Sequence, residues 1–318
     1  MNGTLRLYAL HGAVVALLVA LNFLLPAYHH GLMARILVLA TFAMGYNLTF
    51  GYGGLLSLGH AMFFAAGLYG AGLGIHHLGL GVPAAFLAAL ACGAVLALLV
   101  GLLALRTTGV AFMIVTLMFS QAFHLAILYF SAFTGGDQGL VLKPQQRRIE
   151  TWLGTLDLTD PATRYLTALT LFAVVLFVLL AMVRSGFGRV LVAIRENEER
   201  TRMLGYDTFA NRLAALVVSG TVCAAAGAAY GLLFGYVGAN FASVQYSILP
   251  LLWVLLGGAA TTLGPLFGTV FMYYVVDITS GYTSAYMLVV GVILILLVLF
   301  FRKGLLGTLR ERWLGWLP

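Results

Sequence analysis

The densest collection of polar groups in the chain is Arg184 to Arg212, reading RSGFGRVLVAIRENEERTRMLGYDTFANR. Arginines at 184, 189, 195, 200, 202 and 212 alternate there with Glu196, Glu198 and Glu199. Leu191 to Leu204 has helical character centred on Arg195-Glu196-Asn197-Glu198-Glu199-Arg200, and Gly205 suits a helix C-terminus. A second short helical piece, Thr208 to Leu213, leads into the next apolar run. Ion pairs can guide a partner to such an element, and Val192, Ile194, Met203 and Leu204 supply apolar anchors. Two readings follow from these residues: docking to a soluble partner, or an amphipathic loop lying on lipid headgroups.

Other polar groups stand singly inside apolar sequence. His60 follows Ser57-Leu58-Gly59, where an unwound backbone would offer free N–H and C=O groups. It can contact a polar solute or tie off those groups, and tying off is obligatory in lipid. Ser57 and Thr262 carry the same ambiguity. Gln121 and His124 share one helical face at i, i+3; they line a path or bond between helices. Asp277 is the one carboxylate inside a predicted span, near its outer end. Gly135-Gly136-Asp137-Gln138-Gly139 lacks the Lys-Ser/Thr of a phosphate loop and reads as a turn. There is no HExxH, no GxSxG and no pair of acids on one membrane helix, so hydrolytic chemistry has no motif here. GxxxxGK[ST] is missing too, so the chain is not expected to bind ATP.

The elements that position these groups are membrane helices. Apolar residues make up 62% of the chain and charged residues 8%. A soluble domain carries roughly 25% charged residues, whereas a charge at the bilayer centre costs about 2.5–3.5 kcal/mol or more. Apolar runs lie at 9–26, 35–50, 60–76, 83–105, 110–132, 163–183, 213–235, 246–257, 264–280 and 285–301. The expectation is an all-α polytopic bundle of about 8–10 membrane helices, in a single domain over 1–318. Runs 35–50 and 246–257 are short and end in glycine-rich breaks, predicting two broken or re-entrant helices. Tyr8 to Pro26 is read as a span rather than a cleavable signal.

Lys and Arg set the orientation. Segment 184–212 and the tail residues Arg302, Lys303, Arg310 and Arg312 are expected in the cytoplasm, with Arg6 and Arg106 on the same side. The loop 133–162 then lies outside. The net charge of +7 sits beside the spans, which argues against nucleic acid as a partner. Cys92 and Cys223 read as packing residues, and neither zinc nor a disulfide framework is suggested.

The chain echoes itself. Gly53-Gly54-Leu-Leu-Ser57-Leu58-Gly59 resembles Gly257-Gly258-Ala-Ala-Thr-Thr262-Leu263-Gly264, and each follows a short apolar run. An internal repeat would explain this, as would chance among 38 glycines. Glycines also recur every fourth residue at 227/231/235, 70/74 and 264/268. That spacing lets helix backbones approach, within the chain or against a partner permease.

Three separated stretches resemble bacterial branched-chain amino acid ABC permeases, in order and spacing. They are Gly188-Arg189 through Leu204-Gly205, Asn47-Leu48 through Phe63-Phe64, and Leu255-Leu256-Gly257-Gly258 through Gly264-Pro265. The resemblance runs from about residue 35 to 305 and looks most like the family's M-type subunit; the first helix and the 133–162 loop match less well. It implies a permease translocating branched-chain amino acids, paired with a second permease, two cytoplasmic ATPases that bind the ATP, and a periplasmic binding protein in the inner membrane. It implies ATPase coupling through Ile194, Arg195, Glu196, Asn197, Glu198, Glu199, Arg200, Met203, Leu204 and Gly205. From the residues themselves, the paired breaks and the polar groups beside them are expected to line a translocation path past Gly53, Gly54, Ser57, Gly59, His60, Gln121, His124, Gly257, Gly258, Thr262 and Gly264. Urea or short-amide ABC permeases share much of the pattern. An ion-coupled carrier would need more intramembrane ionisable groups than the one Asp and few His present.

Overall fold

The computed structural model describes residues 3–313 except 25, 152–153, 284, 286–287, 290, 294, 296–298 and 300–303. Helix α1 (Gly3–Leu24) is followed by α2 (Ala27–Asn47), which widens into a π turn over Leu48–Tyr52. Then come α3 (His60–Leu78), α4 (Val82–Ala104), α5 (Val110–Tyr129) and the single turn α6 (Ser131–Thr134). A loop region holds β1 (Leu140–Val141) and the hairpin of β2 (Arg148–Thr151) and β3 (Gly154–Asp157). Helices α7 (Pro161–Arg184), α8 (Gly186–Glu196), α9 (Glu198–Met203) and α10 (Thr208–Phe234) follow. Strand β4 (Tyr236–Val237) pairs antiparallel with β1, ahead of α11 (Val244–Gly257), α12 (Gly264–Tyr282) and α13 (Gly304–Trp313). Among the described residues, α1, α2 with its π turn, α4, α5, α7 and α10 are long and apolar enough to cross a membrane. The predicted span 285–301 falls largely outside the described residues, as do Arg302 and Lys303 and the side chains of Arg310 and Arg312.

Helix α2 is the axle of the bundle. From Ile36 to Thr49 it is buried on every side, which suits a helix apolar all round. The run 35–50 is therefore the inner part of a full-length helix, not a short one. Its first turns carry His29, His30 and Arg35, which lower the local hydropathy without ending the helix. His30 is accommodated through Nε2 to the Asn22 carbonyl at 2.9 Å and by stacking on Tyr165. The run 246–257 is short as expected: α11 has 14 residues.

Small residues decide how closely the helices pack. A Cβ on Gly67 would fall on the Ala224 carbonyl, and one on Gly227 on that of Phe64, so α3 and α10 cross backbone to backbone. Gly93 faces the Ala224 methyl and Gly220 the Ala97 methyl, bringing α4 antiparallel against α10. Gly70 abuts Ala89, and Gly268 abuts Trp253. The four-residue glycine spacing at 227, 70 and 268 therefore serves packing within the chain. Outward-facing surfaces carry large apolar side chains, among them Leu87, Leu99, Leu103, Ile114, Met118 and Val174. A water-soluble protein would not expose so continuous an apolar belt; the molecule is an all-α multi-pass membrane protein.

Candidate functional site

Both glycine-rich breaks are tight links between antiparallel helices, and they meet. In the first, Phe42 packs on Phe64 and Tyr46 on His60, so α2 and α3 run antiparallel. In the second, Gly257 faces Gly264 and Gly268 faces the Trp253 carbonyl, so α11 and α12 do the same. Asn47 joins the two. Its Nδ2 donates to the Thr261 carbonyl at 2.9 Å, and its Oδ1 accepts from the Ala260 amide at 3.1 Å. Ala260 has φ +58°, a strained value for a residue with a Cβ, and the carboxamide clamp supports it.

His60 is fully buried at the first break. Its Nδ1 lies 3.0 Å from the Ser57 hydroxyl, and its Nε2 lies 3.1 Å from that of Thr49 and 3.0 Å from that of Ser219. Thr49 spends its own proton on the Tyr46 carbonyl and Ser219 on the Gly45 carbonyl. Both oxygens are left to accept from His60, which assigns the ring proton to Nε2, while Nδ1 accepts from Ser57. Ser57 also accepts the Gly59 amide, Thr116 takes the Leu58 amide, and Ser247 takes the Ala61 amide. The Leu58, Gly59 and Ala61 amides at the start of α3 are thus satisfied by side chains from α5, α11 and the break itself. Thr262 is buried too, bonded to His11 Nε2 at 2.6 Å. These groups tie off the breaks; Thr262 and Asn47 border only a void of about 10 Å³ between α2 and α7. His124 Nδ1 donates to the Ala239 carbonyl at 3.0 Å, so Nδ1 carries the ring proton. Gln121, one turn earlier on α5, is half-buried.

The charged segment divides differently from the single helix the sequence suggested. Asn197, with φ −159°, breaks it: α8 ends there, and the Asn197 carboxamide caps α9 by accepting from the Arg200 amide at 2.9 Å. Gly205, at φ +88°, ends the element as expected. Arg195 reaches out of α8 to donate to the Gly51 carbonyl in the π turn of α2, and its stem lies over Gly54. Segment 184–212 is therefore linked directly to the first break. Ile194, expected as a docking anchor, is 2% exposed and packs inside the chain. Glu198, expected among the ATPase-coupling residues, is an internal tie: it holds Arg212 at 2.6 Å and Arg202 at 3.2 Å and accepts from Thr208. Glu196, Glu199 and Arg200 are exposed. Met203 and Leu204 stand out at 83% and 76% exposure. Tyr206 and Phe209, which the sequence reading passed over, extend the same exposed apolar group. Their signal was the oddity of aromatic residues in a charged connector.

The opposite end of the bundle carries the loop 133–162. Gly135, Gly136 and Gly139 all take positive φ, so this stretch is a turn. Arg147 reaches from the loop to the Leu233 carbonyl at the end of α10, and burial pushes its guanidinium down from its ordinary value. Nearby, α2, α10, α11 and α12 line a half-open cavity of about 490 Å³ that holds the exposed Arg35 side chain, which the sequence reading also missed. The usable signal was an arginine at the edge of an apolar run.

Helix hairpins with buried, fully bonded breaks, an apolar outer belt and a charged element wired to the central helix define a polytopic transport permease. The chain belongs to the family described as branched-chain amino acid transport system / permease component, whose model matches residues 28–299. It is a transport component, not an enzyme. The high-affinity branched-chain amino acid transport system permease protein LivM of Salmonella typhimurium is 28% identical over 322 aligned residues, covering 94% of this chain and 75% of the relative. The LivM protein of Escherichia coli matches to the same extent. A probable branched-chain amino acid transport permease protein LivM of Methanocaldococcus jannaschii is 35% identical over 98 residues, 30% of this chain and 28% of the relative. No solved structure matches.

Proposed function

We propose that this chain is one permease subunit of an ATP-driven importer that moves branched-chain amino acids across the bacterial inner membrane. It pairs with a second permease, takes cargo from a periplasmic binding protein, and is driven by two cytoplasmic ATPases that bind all the ATP. Segment 184–212 is cytoplasmic and 133–162 faces the periplasm, as the arginine asymmetry requires. The observation that supports coupling most directly is Arg195, which joins α8 to the Gly51 carbonyl in the π turn of α2. Hydrolysis happens in another polypeptide, so its force must enter through a rigid element joined to the membrane helices. Met203, Leu204, Tyr206 and Phe209 form the apolar seat for the ATPase, with Glu199 and Arg200 at its rim. The solute path runs beside the two breaks, which move as a pair because Asn47 clasps both.

Reconstitution with the three partner types tests this. Met203→Asp with Leu204→Asp should abolish ATPase copurification. Arg195→Ala should leave the complex assembled and still hydrolysing ATP, with leucine uptake reduced at least about tenfold, as for loss of a hydrogen bond to a charged group. Wild-type copurification in the double variant would show that the apolar group is not the seat.

A further inference from the structure

We propose that the cavity between α2, α10, α11 and α12 is a binding site for the cargo in which Arg35 receives the amino acid's carboxylate; this rests on the function proposed above. The cavity, at about 490 Å³, falls in the roughly 300–1,000 Å³ range of small-molecule sites. Its wall is aromatic and aliphatic, with Tyr230, Phe241, Tyr246, Trp253 and Tyr273 facing a single guanidinium. Arg35 is the ninth residue of α2, about 12 Å along the helix from its first residue at 1.5 Å per residue. An ionised side chain in a membrane helix marks a functional site by default. Among the described residues no carboxylate forms an ion pair with it. Its contacts are a long bond from Nη1 to the Tyr273 hydroxyl at 3.4 Å and the face of Phe234, 4.9 Å from Cζ. Neither contact uses the forked pair of donors that a guanidinium offers a carboxylate.

The rest of the cavity suits the rest of such a molecule. An ammonium beside the carboxylate finds the ring faces of Tyr246 and Phe241, which stand edge to face at 5.1 Å. A branched aliphatic side chain finds Leu39, Leu249 and Met272. The Tyr230 and Tyr273 hydroxyls can share the carboxylate with Arg35. A neutral amide without the carboxylate, such as urea, would leave the guanidinium unanswered, so the cavity selects for acids.

The test uses the assembled transporter in proteoliposomes and, separately, the full chain in detergent. Arg35→Gln should lower leucine uptake at least about tenfold, the minimum expected when a charged hydrogen-bonded pair loses one partner. ATP hydrolysis stimulated by the liganded binding protein should persist, because Arg35 lies away from segment 184–212. Arg35→Lys should restore part of the uptake, and Tyr273→Phe should lower it about tenfold, as for one hydrogen bond to a charged group. In the full chain, L-leucine should protect Arg35 from phenylglyoxal, read by mass spectrometry, whereas L-leucinamide should not. Wild-type uptake in Arg35→Gln overturns the proposal. So does joint loss of uptake and stimulated hydrolysis in both Arg35 variants with a normal Tyr273→Phe, which marks a structural residue. If the wild-type assembly takes up no leucine, the functional reading fails, and the protection arm alone decides the cavity: saturable leucine protection keeps it, none removes it.

Discussion

The two breaks share a sequence signature and are built by opposite means. Around Gly53–Gly59 the backbone is held by side chains: His60, Ser57, Thr49, Ser219, Thr116 and Ser247 supply the partners that an unwound chain in lipid must have. Around Gly257–Gly264 the absence of side chains does the holding, because α11 and α12 touch through Gly257, Gly264 and Gly268. A polar network can rearrange one bond at a time, whereas backbone contact is all or nothing. The first break is also the one that Arg195 reaches. The hairpin held by a polar network is thus the one bonded to the charged segment, and the backbone-packed hairpin is joined to it through Asn47.

The largest effect should come from filling the rigid hairpin. Gly257→Val puts a side chain onto the Gly264 carbonyl and should cost about 3 kcal/mol or more, as overpacking does when neither backbone can yield. Little folded protein should be recovered after solubilisation and gel filtration. Gly54→Ala should be milder, about 1 kcal/mol for the positive φ, since its methyl meets only the flexible Arg195 stem. Equal losses in the two variants would erase the contrast.

Asn47→Ala separates the hairpins and leaves the Ala260 amide and Thr261 carbonyl without their partner. About 2–3 kcal/mol should be lost, the penalty for orphaned buried groups, seen as a lowered thermal unfolding midpoint in detergent. If the two hairpins do move together, this variant should also break coupling while ATPases still copurify.

Thr262→Val probes a single side-chain tie of the second break, the bond that the Thr262 hydroxyl donates to His11 Nε2. A destabilisation of about 1 kcal/mol is expected, as for a single neutral hydrogen bond, against a clearly larger loss for His60→Ala, which empties a site with three hydroxyl contacts. Thermal unfolding of the two variants side by side measures the ratio; a larger loss for Thr262→Val would reverse the division of labour.

The smallest effect belongs to the loop hairpin, far from both breaks. Asp157 is held down to about 2, first by the Thr159 hydroxyl, then by the Thr159 amide, with Arg148 at 2.9 Å adding to both. A lowered carboxyl contributes stability above its ordinary value of 3.8 and loses it as pH falls through about 2. Hydrogen exchange over 148–157 should therefore quicken in that acid window in the wild type, and Asp157→Asn should flatten the dependence. The breaks should not follow this titration.

Much of this was legible from residue types. Lipid demands apolar length, few charges and arginines gathered at one end, so the all-α multi-pass bundle follows from composition and from the runs themselves. Gly-Gly pairs mark the breaks because only there does the chain turn without burying a side chain in its neighbour. Gly205 marks the end of the charged element because its φ is positive. Partnership across distance was not legible. Asn47 sits 213 residues from Ala260, and Arg195 sits 144 residues from Gly51; no local periodicity encodes which polar group meets which. The same blindness made Ile194 and Glu198 look like docking residues, because a strip of sequence does not show which face of a short helix is covered. Arg35 looked like the edge of a span, and only the meeting of four helices beside it made it the charged wall of a half-open cavity. The chain's own chemistry determined that it lives in a bilayer and where it must bend; the packing of distant helices decided which of its polar groups brace the fold and which stand open to a solute or a partner.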